Sequence, residues 1–523
     1  IEGEKIKIPF LNGGLFEEHE PKYRNIVFDE ILFKNLFDFF DMYNFTIYED
    51  DPNDHIVAVD PEMLGHIFEN LLEDNKDKGA YYTPKEIVHY MCRESLIEYL
   101  ATWFEKHEYT VIGNNFENID QPDKIKTEKS NTKHIERSLI ENLLKKKLTE
   151  QDELSLLNYY ESFNTAFDNV KICDPAIGSG AFPMGLLQEI FTAKQTLWFI
   201  KEGNLNNFPA SDIKLNIIQN SIYGVDIEKG AVDIARLRFW LSLVVDEELP
   251  KPLPNLDYKI VVGNSLVSKF GDDIIDIDWD IDVTAYGYVG HELAIRANVI
   301  LQLIIEKQKE YFNPLSNKKE LSFEIRNLKI DLLINQLELM LNTSEITKKK
   351  RTGYKANKKG ELYLQQISWA ENIKTLKRMK NEPAKPLLFF DWRLDFPEIF
   401  NSEFNPNPGF NLVIANPPYI DSETMVGLGH ENIRNYLTAK MPFCKGNWDI
   451  YIAFFNLGYI LLNEFGILSF ITPDKWLSKP FGYELRSKLL LNFKLIAEAG
   501  RKIFQNAKVD SIISFITKKE SKF

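Results

Sequence analysis

The segment FNLVIANPPYI (residues 410–420) places an amide, two prolines and a phenol directly after an apolar run. Asn416 offers a side-chain carbonyl, Pro417 a backbone carbonyl and Tyr419 a flat aromatic face. Pro417 and Pro418 have no backbone N–H, so the loop is rigid and rich in acceptors. Two acceptors can hold both N–H donors of an exocyclic amine and direct its lone pair toward an electrophile. The motif predicts a site that activates a planar amine without a metal or a general base.

A glycine-rich turn follows an earlier apolar run in VKICDPAIGSGAF (residues 170–182), where the pattern predicts a strand ending at Cys173. Gly178 and Gly180 let the backbone approach a ligand closely, and the following helix N-terminus favours electronegative groups. The pattern is neither the phosphate-binding GxxxxGK[ST] nor the dinucleotide-binding GxGxxG. Asp174 indicates a ligand with hydroxyl or cationic groups. An ordinary tight strand-to-helix turn is the alternative.

Polar residues also end the next two predicted strands. Asp226, in SIYGVDI, can accept both hydroxyls of a ribose, and Ile227 can lie on a purine face. Asn264 and Ser265, in YKIVVGNSL, offer an amide to an adenine amino group. Taken alone, Asp226 could be a helix N-cap, and Asn264 and Ser265 could form an ordinary turn. Together with the glycine-rich turn, however, they favour an adenosine ligand.

The elements that position these residues follow an alternating pattern, which indicates an α/β fold with a doubly wound, parallel sheet. The predicted strands are VKIC, SIYGVDI, YKIVVG, FNLVIA, GILSFIT and DSIISFI. In such sheets ligands bind at the carboxyl ends of the strands. The residues named above follow strands, so the pattern predicts that they share one edge.

Helical patterns surround and interrupt the predicted sheet. In GAYYTPKEIV (residues 79–88), Thr83 predicts a helix N-cap, Pro84 the first helical position and Glu86 a capping box. Residues 288–345 predict an antiparallel helical hairpin inserted into the catalytic domain. Residues 1–75 read as mostly helical, most clearly in DPEMLGHIFENLL.

The composition excludes several classes of protein. Length, 44% hydrophobic residues and 27% charged residues indicate a globular, soluble protein of several domains. A net charge of −15 argues against a basic nucleic-acid coat, although a basic cleft can lie on an acidic body. The basic run TKKKRTGYKANKKG (residues 347–360) is most simply a solvated loop. No apolar run reaches the roughly 18 residues of a membrane span. Three widely separated cysteines suit a reducing cytoplasm.

Several motifs in this order resemble the amino-group S-adenosylmethionine-dependent DNA methyltransferases. They are DPAIGSGAF, GVDI, GNSL and NPPY. Their order is that of the gamma class, which methylates adenine N6. FDWRLDFPEIF (residues 390–400), IPFLNGGLFE and LGHIFENLL are similar to type IIG restriction–modification enzymes. The resemblance covers nearly the whole chain and implies a Rossmann-like class I methyltransferase fold.

The resemblance also implies roles for individual residues. The implied S-adenosylmethionine site consists of Tyr82, Thr83, Pro84, Asp174, Pro175, Ala176, Gly178, Gly180, Asp226, Ile227, Asn264 and Ser265. The first three would flank the methionine moiety. Asn264 departs from the aspartate that is frequent in the family, which keeps one acceptor and loses a charge. The implied catalytic and target-base residues are Asn416, Pro417, Pro418, Tyr419, Asn447, Asp449, Tyr451 and Phe504.

The implied protein is a site-specific adenine-N6 DNA methyltransferase of the prokaryotic cytoplasm, monomeric and not bound to a membrane. It would flip its target adenine out of double-stranded DNA and stack it between Tyr419 and Phe504. S-adenosylhomocysteine would be the second product, and methyl transfer would need no metal. The expected divisions are 1–75 (helical connector), 76–270 (cofactor-binding half, with an insertion at about 113–165), 271–386 (helical-hairpin insertion) and 387–523 (catalytic half). The nuclease and target-recognition domains of type IIG enzymes are expected to be missing.

Two alternatives remain at this stage. An N-methyltransferase acting on a protein glutamine or on cytosine N4 would use the same chemistry at its Asn-Pro-Pro-Tyr motif. A catalytically silent DNA-binding scaffold is the second alternative. Intact Asn416, Tyr419 and Asp226 argue against the scaffold, which cofactor binding without methyl transfer would support.

Overall fold

The computed structural model describes most of the chain in two compact units. The first unit precedes Pro252 and resumes at Gly409, and the second runs from Pro252 to Pro408. No described helix is long and apolar enough to cross a membrane. The described residues are 27, 29–40, 44–45, 58–59, 83–106, 135–244, 254–271, 273–281, 287–313, 316–350, 356–382, 385–500 and 510–519.

The first unit begins with helices that lead into a sheet. Its described elements in this part are α1 (Glu30–Phe40), β1 (Asn44–Phe45), β2 (Ala58–Val59), α2 (Lys85–Lys106), α3 (Arg137–Leu144), α4 (Glu150–Asn169), β3 (Ile172–Asp174), α5 (Ala181–Glu202), α6 (Ala210–Asn220), β4 (Ile222–Asp226) and α7 (Lys229–Val244). The short strands β1 and β2 pair in parallel. The predicted helix in residues 60–72 and the first part of the predicted insertion, 113–134, lie outside the described residues. The rest of that insertion forms α3 and most of α4.

The second unit is mainly helical. Its elements are β5 (Ile260–Val262), β6 (Lys269–Phe270), β7 (Asp273–Ile274), α8 (Gly287–Phe312), α9 (Lys318–Lys350), α10 (Ala356–Lys380), α11 (Trp392–Asp395) and α12 (Pro397–Phe400). Helices α8 and α9 pack together, and α10 packs on α9. The interpretation of residues 347–360 as a loop is wrong at both ends, because α9 continues to Lys350 and α10 begins at Ala356.

The segment FDWRLDFPEIF lies within the second unit and forms α11 and α12. The Asp391 side chain caps α11 by accepting the N–H groups of Arg393 and Leu394 at 3.0 and 3.2 Å. Asp395, at the end of α11, forms a buried ion pair with Lys329 of α9, with Nζ and Oδ1 2.5 Å apart. Removing one member of a buried pair leaves an uncompensated charge, so the pair ties this segment to α9.

The chain then returns to the first unit. Its remaining elements are β8 (Phe410–Ala415), α13 (Ser422–Gly427), α14 (Glu431–Lys440), α15 (Ile450–Leu461), β9 (Leu462–Pro473), α16 (Lys475–Ser478), α17 (Tyr483–Leu489), β10 (Phe493–Gly500) and β11 (Ser511–Thr517). Short 3-10 turns at Pro480–Gly482 and Leu490–Asn492 flank α17.

The central sheet of the first unit has the strand order β10-β11-β9-β8-β3-β4. Strands β4, β3, β8 and β9 are parallel, and β11 and β10 are antiparallel to their neighbours. All of β3 and five of six residues of β8 are buried, as expected for strands covered by helices on both faces. The predicted α/β fold with a mostly parallel sheet is confirmed. Because the four parallel strands run the same way, their carboxyl ends meet at one edge.

Helix α2 packs on α5 and on strands β8 and β9. The close approach to α5 depends on Gly185, where a Cβ atom would lie 2.7 Å from Val88 Cγ1. The predicted N-cap at Thr83 is wrong by one residue. The Pro84 carbonyl accepts the first helical bond, from the N–H of Val88 at 3.1 Å, and α2 begins at Lys85. The Thr83 hydroxyl is thereby available for a tertiary contact.

Gly224, in the middle of β4, is required for close packing of the glycine-rich turn. A Cβ there would lie 3.0 Å from Ile177 Cγ1, and Ile177 is itself buried. We expect Gly224→Ala to lower the free energy of unfolding by at least about 1 kcal/mol, because overpacking forces a shift of the turn. Chemical denaturation measures this change. Gly427→Ala is the matched control, since a Cβ there meets nothing within 4 Å. An unchanged midpoint for Gly224→Ala would contradict the expectation.

Candidate active site

The glycine-rich turn after β3 is held in a defined shape. Gly178 and Gly180 have φ angles of +53° and +87°, a region that side chains rarely adopt. A Cβ on Gly180 would lie 3.2 Å from the Ala235 Cβ of α7, so the turn also packs tightly on that helix. Ile177 donates its N–H to the Val225 carbonyl of β4 at 3.0 Å. The backbone of the turn is therefore preformed.

A buried arginine supports the same turn. Arg238 of α7 donates from Nη1 to the Ser179 carbonyl at 2.8 Å and lies 3.4 Å from the Ser179 hydroxyl. Only 5% of Arg238 is exposed. Sequence reasoning missed this residue, although a charged side chain within the apolar pattern AVDIARLRFWLSLV was a usable signal.

Two acidic residues lie at the ends of β3 and β4. Asp226 accepts the N–H of Gly178 through Oδ2 and that of Glu228 through Oδ1, both at 2.9 Å. Asp174 accepts the Ala176 N–H through Oδ1 at 3.0 Å. Burial raises the pKa of both carboxyl groups, and the charge of Asp226 adds to the increase in the pKa of Asp174.

The two acids differ in accessibility. Asp174 is only 1% exposed, and the adjacent Pro175 is also buried. Asp226 is half-buried, and the Ile227 side chain beside it is 63% exposed. A ligand at this edge can therefore reach Asp226 and Ile227, whereas Asp174 shapes the turn from beneath.

The Asn-Pro-Pro-Tyr segment follows β8, the neighbour of β3 in the sheet. Asn416 donates from Nδ2 to the Thr83 hydroxyl oxygen at 3.1 Å. Pro417 is buried, and Tyr419 donates its hydroxyl to the Ile471 carbonyl near the carboxyl end of β9, at 3.3 Å. The structure thus brings residues of three predicted motifs to one edge of the sheet. They are the glycine-rich turn after β3, the Asn-Pro-Pro-Tyr segment after β8 and the segment that precedes α2.

A second group of predicted residues surrounds Tyr419. Its ring meets the Tyr451 ring edge-on, with centroids 6.3 Å apart and planes at 83°. The Ile450 N–H donates to the Ile420 carbonyl at 2.9 Å, which ties the start of α15 to the loop. Burial raises the pKa of Asp449, and the charge of Lys475 acts in the opposite direction. Burial also raises the pKa of Tyr451.

The remaining predicted residues are Asn447, Asn264, Ser265, Tyr82 and Phe504. Asn447 is exposed on the turn before α15. Asn264 and Ser265 belong to the second unit, where Asn264 Oδ1 accepts the N–H groups of Leu266 and Val267 at 3.0 and 3.2 Å. This is the geometry of an ordinary turn, and the cofactor role of Asn264 and Ser265 stays a prediction. Tyr82 and Phe504 lie outside the described residues.

Residues 220–519, more than half of the chain, match the family described as Eco57I restriction-modification methylase. The chain belongs to this family. The match includes β4 with Asp226 and β8 with the Asn-Pro-Pro-Tyr segment. The glycine-rich turn and Thr83 precede the matched residues, and the structure joins them to that region through the hydrogen bonds of Gly178 with Asp226 and of Thr83 with Asn416.

Individual proteins are also similar to this chain. A protein of Methanocaldococcus jannaschii, provisionally named as a type II restriction enzyme and methyltransferase, is 27% identical over 98% of this chain and 42% of its own length. The type II methyltransferase M.BanIII of Aneurinibacillus aneurinilyticus is 31% identical over 24% of this chain and 21% of its own. A solved DNA complex of the type IIL restriction-modification enzyme MmeI aligns with a TM-score of 0.40 at 11% identity, covering 88% of this chain and 40% of that one. This Eco57I-family chain spans less than half the length of each of these proteins.

Proposed function

We propose that this chain is the methylase core of a restriction–modification enzyme that methylates N6 of adenine in double-stranded DNA, with S-adenosylmethionine as methyl donor. The observation that carries the proposal is the placement of two chemically complementary loops after the neighbouring strands β3 and β8. The loop after β3 offers glycines, one of which is bound by Asp226 at the end of β4, and the loop after β8 offers Asn416, Pro417 and Tyr419. Family membership supports a restriction–modification methylase.

The residues after β3 and β4 fit the proposed methyl donor. The donor's ribose needs hydrogen-bond acceptors, which the half-buried Asp226 carboxylate supplies. Its adenine needs an apolar face, which the exposed Ile227 side chain supplies. The glycines of the preformed turn leave room for close approach to the backbone. When bound, S-adenosylmethionine would supply an electrophilic methyl group on a sulfonium and leave as S-adenosylhomocysteine.

The residues after β8 fit an adenine amino group. The Asn416 side-chain carbonyl and the Pro417 backbone carbonyl would accept the two N6 hydrogens. Tyr419 would stack on the base, and its ring is held by the Ile471 carbonyl and the Tyr451 edge. Flipping a base costs a few kcal/mol, and stacking on one aromatic side chain returns about 1–3 kcal/mol. Prepositioned acceptors also stabilise the positive charge that develops on nitrogen.

The same loop geometry also suits cytosine N4 or a protein glutamine, so the substrate must be tested directly. The purified chain would be incubated with S-adenosylmethionine and unmethylated DNA of random sequence. Nucleosides would then be separated by mass spectrometry. We expect N6-methyladenine, at a level that falls to background when the methyl donor is omitted.

The other outcomes discriminate between the alternatives. Detection of N4-methylcytosine would show that the target base is cytosine rather than adenine. Methylation of added protein rather than DNA would favour a glutamine methyltransferase. Binding of the methyl donor with no methylated product would favour a catalytically silent scaffold. The chain spans less than half the length of its relative from Methanocaldococcus jannaschii, so its methyl transfer could be slow. The assay therefore uses excess enzyme and a long incubation before methyl transfer is judged to be absent.

A further inference from the structure

We infer that Thr83 is a positioning residue that holds the Asn416 side-chain amide in the orientation needed for methyl transfer. The inference rests on the proposed function and deepens it. The Thr83 hydroxyl oxygen lies 3.1 Å from Asn416 Nδ2 and accepts its hydrogen bond. The two residues are 333 positions apart in sequence, so only the fold brings them together.

The orientation of an amide matters because its two ends have opposite roles. The nitrogen end only donates hydrogen bonds, and the carbonyl end only accepts them. A target amine presents N–H donors, so the carbonyl end must face it. With Nδ2 bound to Thr83, the carbonyl end is directed away from Thr83 and the amide cannot rotate without breaking that bond. If the amide were rotated, the N–H groups of Asn416 Nδ2 would face the N–H groups of the target amine, and no hydrogen bond could form.

Both partners are held on restricted backbone. Thr83 precedes Pro84, and Asn416 precedes Pro417. Proline disfavours the helical conformation of the residue before it, which restricts both backbones to extended geometry. Thr83 is in addition β-branched, so its hydroxyl has few rotamers. It is only 5% exposed.

The helix behind Thr83 is equally fixed. The Pro84 carbonyl accepts the first helical bonds of α2, and Met91 and Cys92 of that helix are fully buried. Helix α2 also packs on β8, the strand that leads to Asn416. The hydroxyl and the amide are therefore carried by two elements in direct contact, which keeps their separation constant.

This role differs measurably from the predicted place of Thr83 beside the methionine moiety. A residue that contacts only the methyl donor would change the donor's Kd. A residue that orients Asn416 would change kcat and leave that Kd nearly constant. Thr83→Val removes the hydroxyl with little change in shape, and Thr83→Ser keeps the hydroxyl.

The kinetic experiment compares these variants in methyl transfer to DNA and in calorimetric binding of S-adenosylmethionine. We expect Thr83→Val to lower kcat about ten-fold, as loss of one hydrogen bond implies, with Kd within two-fold of wild type. Thr83→Ser should recover most of kcat. Thr165→Val, at an exposed threonine whose hydroxyl donates to the Glu161 carbonyl of the same helix, should change neither quantity. A raised Kd with unchanged kcat for Thr83→Val would overturn the inference.

A double-mutant cycle with Asn416→Ala tests whether Thr83 acts through the amide. Adding Thr83→Val to Asn416→Ala should cause no further loss of kcat, because no amide remains to orient. A further ten-fold loss would overturn the inference.

A spectroscopic readout needs neither cofactor nor activity. In the chain labelled with ¹⁵N at asparagine side chains, Asn416→Ala identifies the Asn416 NH₂ resonance by its disappearance. Thr83→Val should shift that resonance and accelerate its exchange with solvent, whereas Thr165→Val should not. An unchanged Asn416 resonance in Thr83→Val would overturn the inference. If the wild-type chain transfers no methyl group although Thr83→Val shifts the resonance, the proposed function fails and the contact stands.

Discussion

Replacing Asn416 by alanine is expected to lower the rate of methyl transfer by about 10²–10³-fold, the range seen when one prepositioned polar group is removed from an active site. The side-chain carbonyl is one of two acceptors proposed for the target amine. The other, the Pro417 backbone carbonyl, remains in the variant and accounts for residual activity. Affinity for S-adenosylmethionine should stay within a few-fold of wild type, because Asp226 and the glycine-rich turn are unchanged.

Single-turnover methylation of DNA, with the methyl donor's Kd measured separately, would test this expectation. Asn432→Ala is the matched control, because Asn432 lies exposed on α14 and should affect neither rate nor affinity. Asn416→Asp keeps the acceptor oxygens and adds a charge. It should retain more activity than alanine if acceptance of the amine is the decisive property. A wild-type rate in Asn416→Ala would remove the central residue of the proposed function.

The ligand-binding residues at the strand ends were predictable because short, continuous sequence segments identify them. An apolar run followed by an acid, a glycine-rich turn or Asn-Pro-Pro-Tyr identifies both the strand and the edge at which its ligand residues lie. Thus β3, β4 and β8, with Asp174, Asp226 and Asn416 at or after their ends, follow from short sequence windows. The alternation of strands and helices then gives the α/β class without any long-range information.

Contacts that join distant segments were not predictable in the same way. Thr83 carried a strong local signal for a helix cap, yet its hydroxyl is used by Asn416 from the other half of the chain. The local signal failed because the structure starts α2 one residue later, after Pro84. Strand β10 was missed because all eight of its residues are at least partly exposed at the sheet's edge, so it lacks a long apolar run.

Asn264 illustrates an ambiguity that the sequence leaves open. A polar residue after a strand serves equally well as a ligand contact or as a turn former. In the structure its Oδ1 atom accepts two backbone N–H groups of the following residues, Leu266 and Val267. The Asn264 side chain is thus sufficient to stabilise the turn.

Asp226 is expected to be the residue on which binding of the methyl donor depends most. Asp226→Ala should weaken S-adenosylmethionine binding by about 1–3 kcal/mol, as expected for loss of hydrogen bonds to a charged group. Two effects combine in this variant. The ribose loses its acceptor, and the N–H groups of Gly178 and Glu228 lose theirs, which loosens the turn itself.

Asp226→Asn separates the charge from the acceptor geometry. One amide oxygen can serve one of the two N–H groups, whereas the amide nitrogen faces the other as a second donor. We therefore expect affinity between those of wild type and Asp226→Ala. Asp212→Ala, at an exposed acid on α6, is the matched control and should bind as wild type does. Equal affinities for wild type and Asp226→Ala in calorimetry would place the ribose elsewhere.

The pH dependence of binding supplies an independent test of the same carboxylate. Burial raises the pKa of Asp226, so it takes up a proton at a higher pH than an exposed aspartate does. Protonation converts one acceptor oxygen into a donor, and binding should therefore weaken as pH falls through the raised pKa. The neighbouring Asp174, whose pKa is also raised, titrates in both proteins, and in Asp226→Asn its pKa is raised less because the charge of Asp226 is absent. The pH dependence that is present in wild type and lost in Asp226→Asn therefore belongs to Asp226, and identical pH profiles for the two proteins would contradict its role.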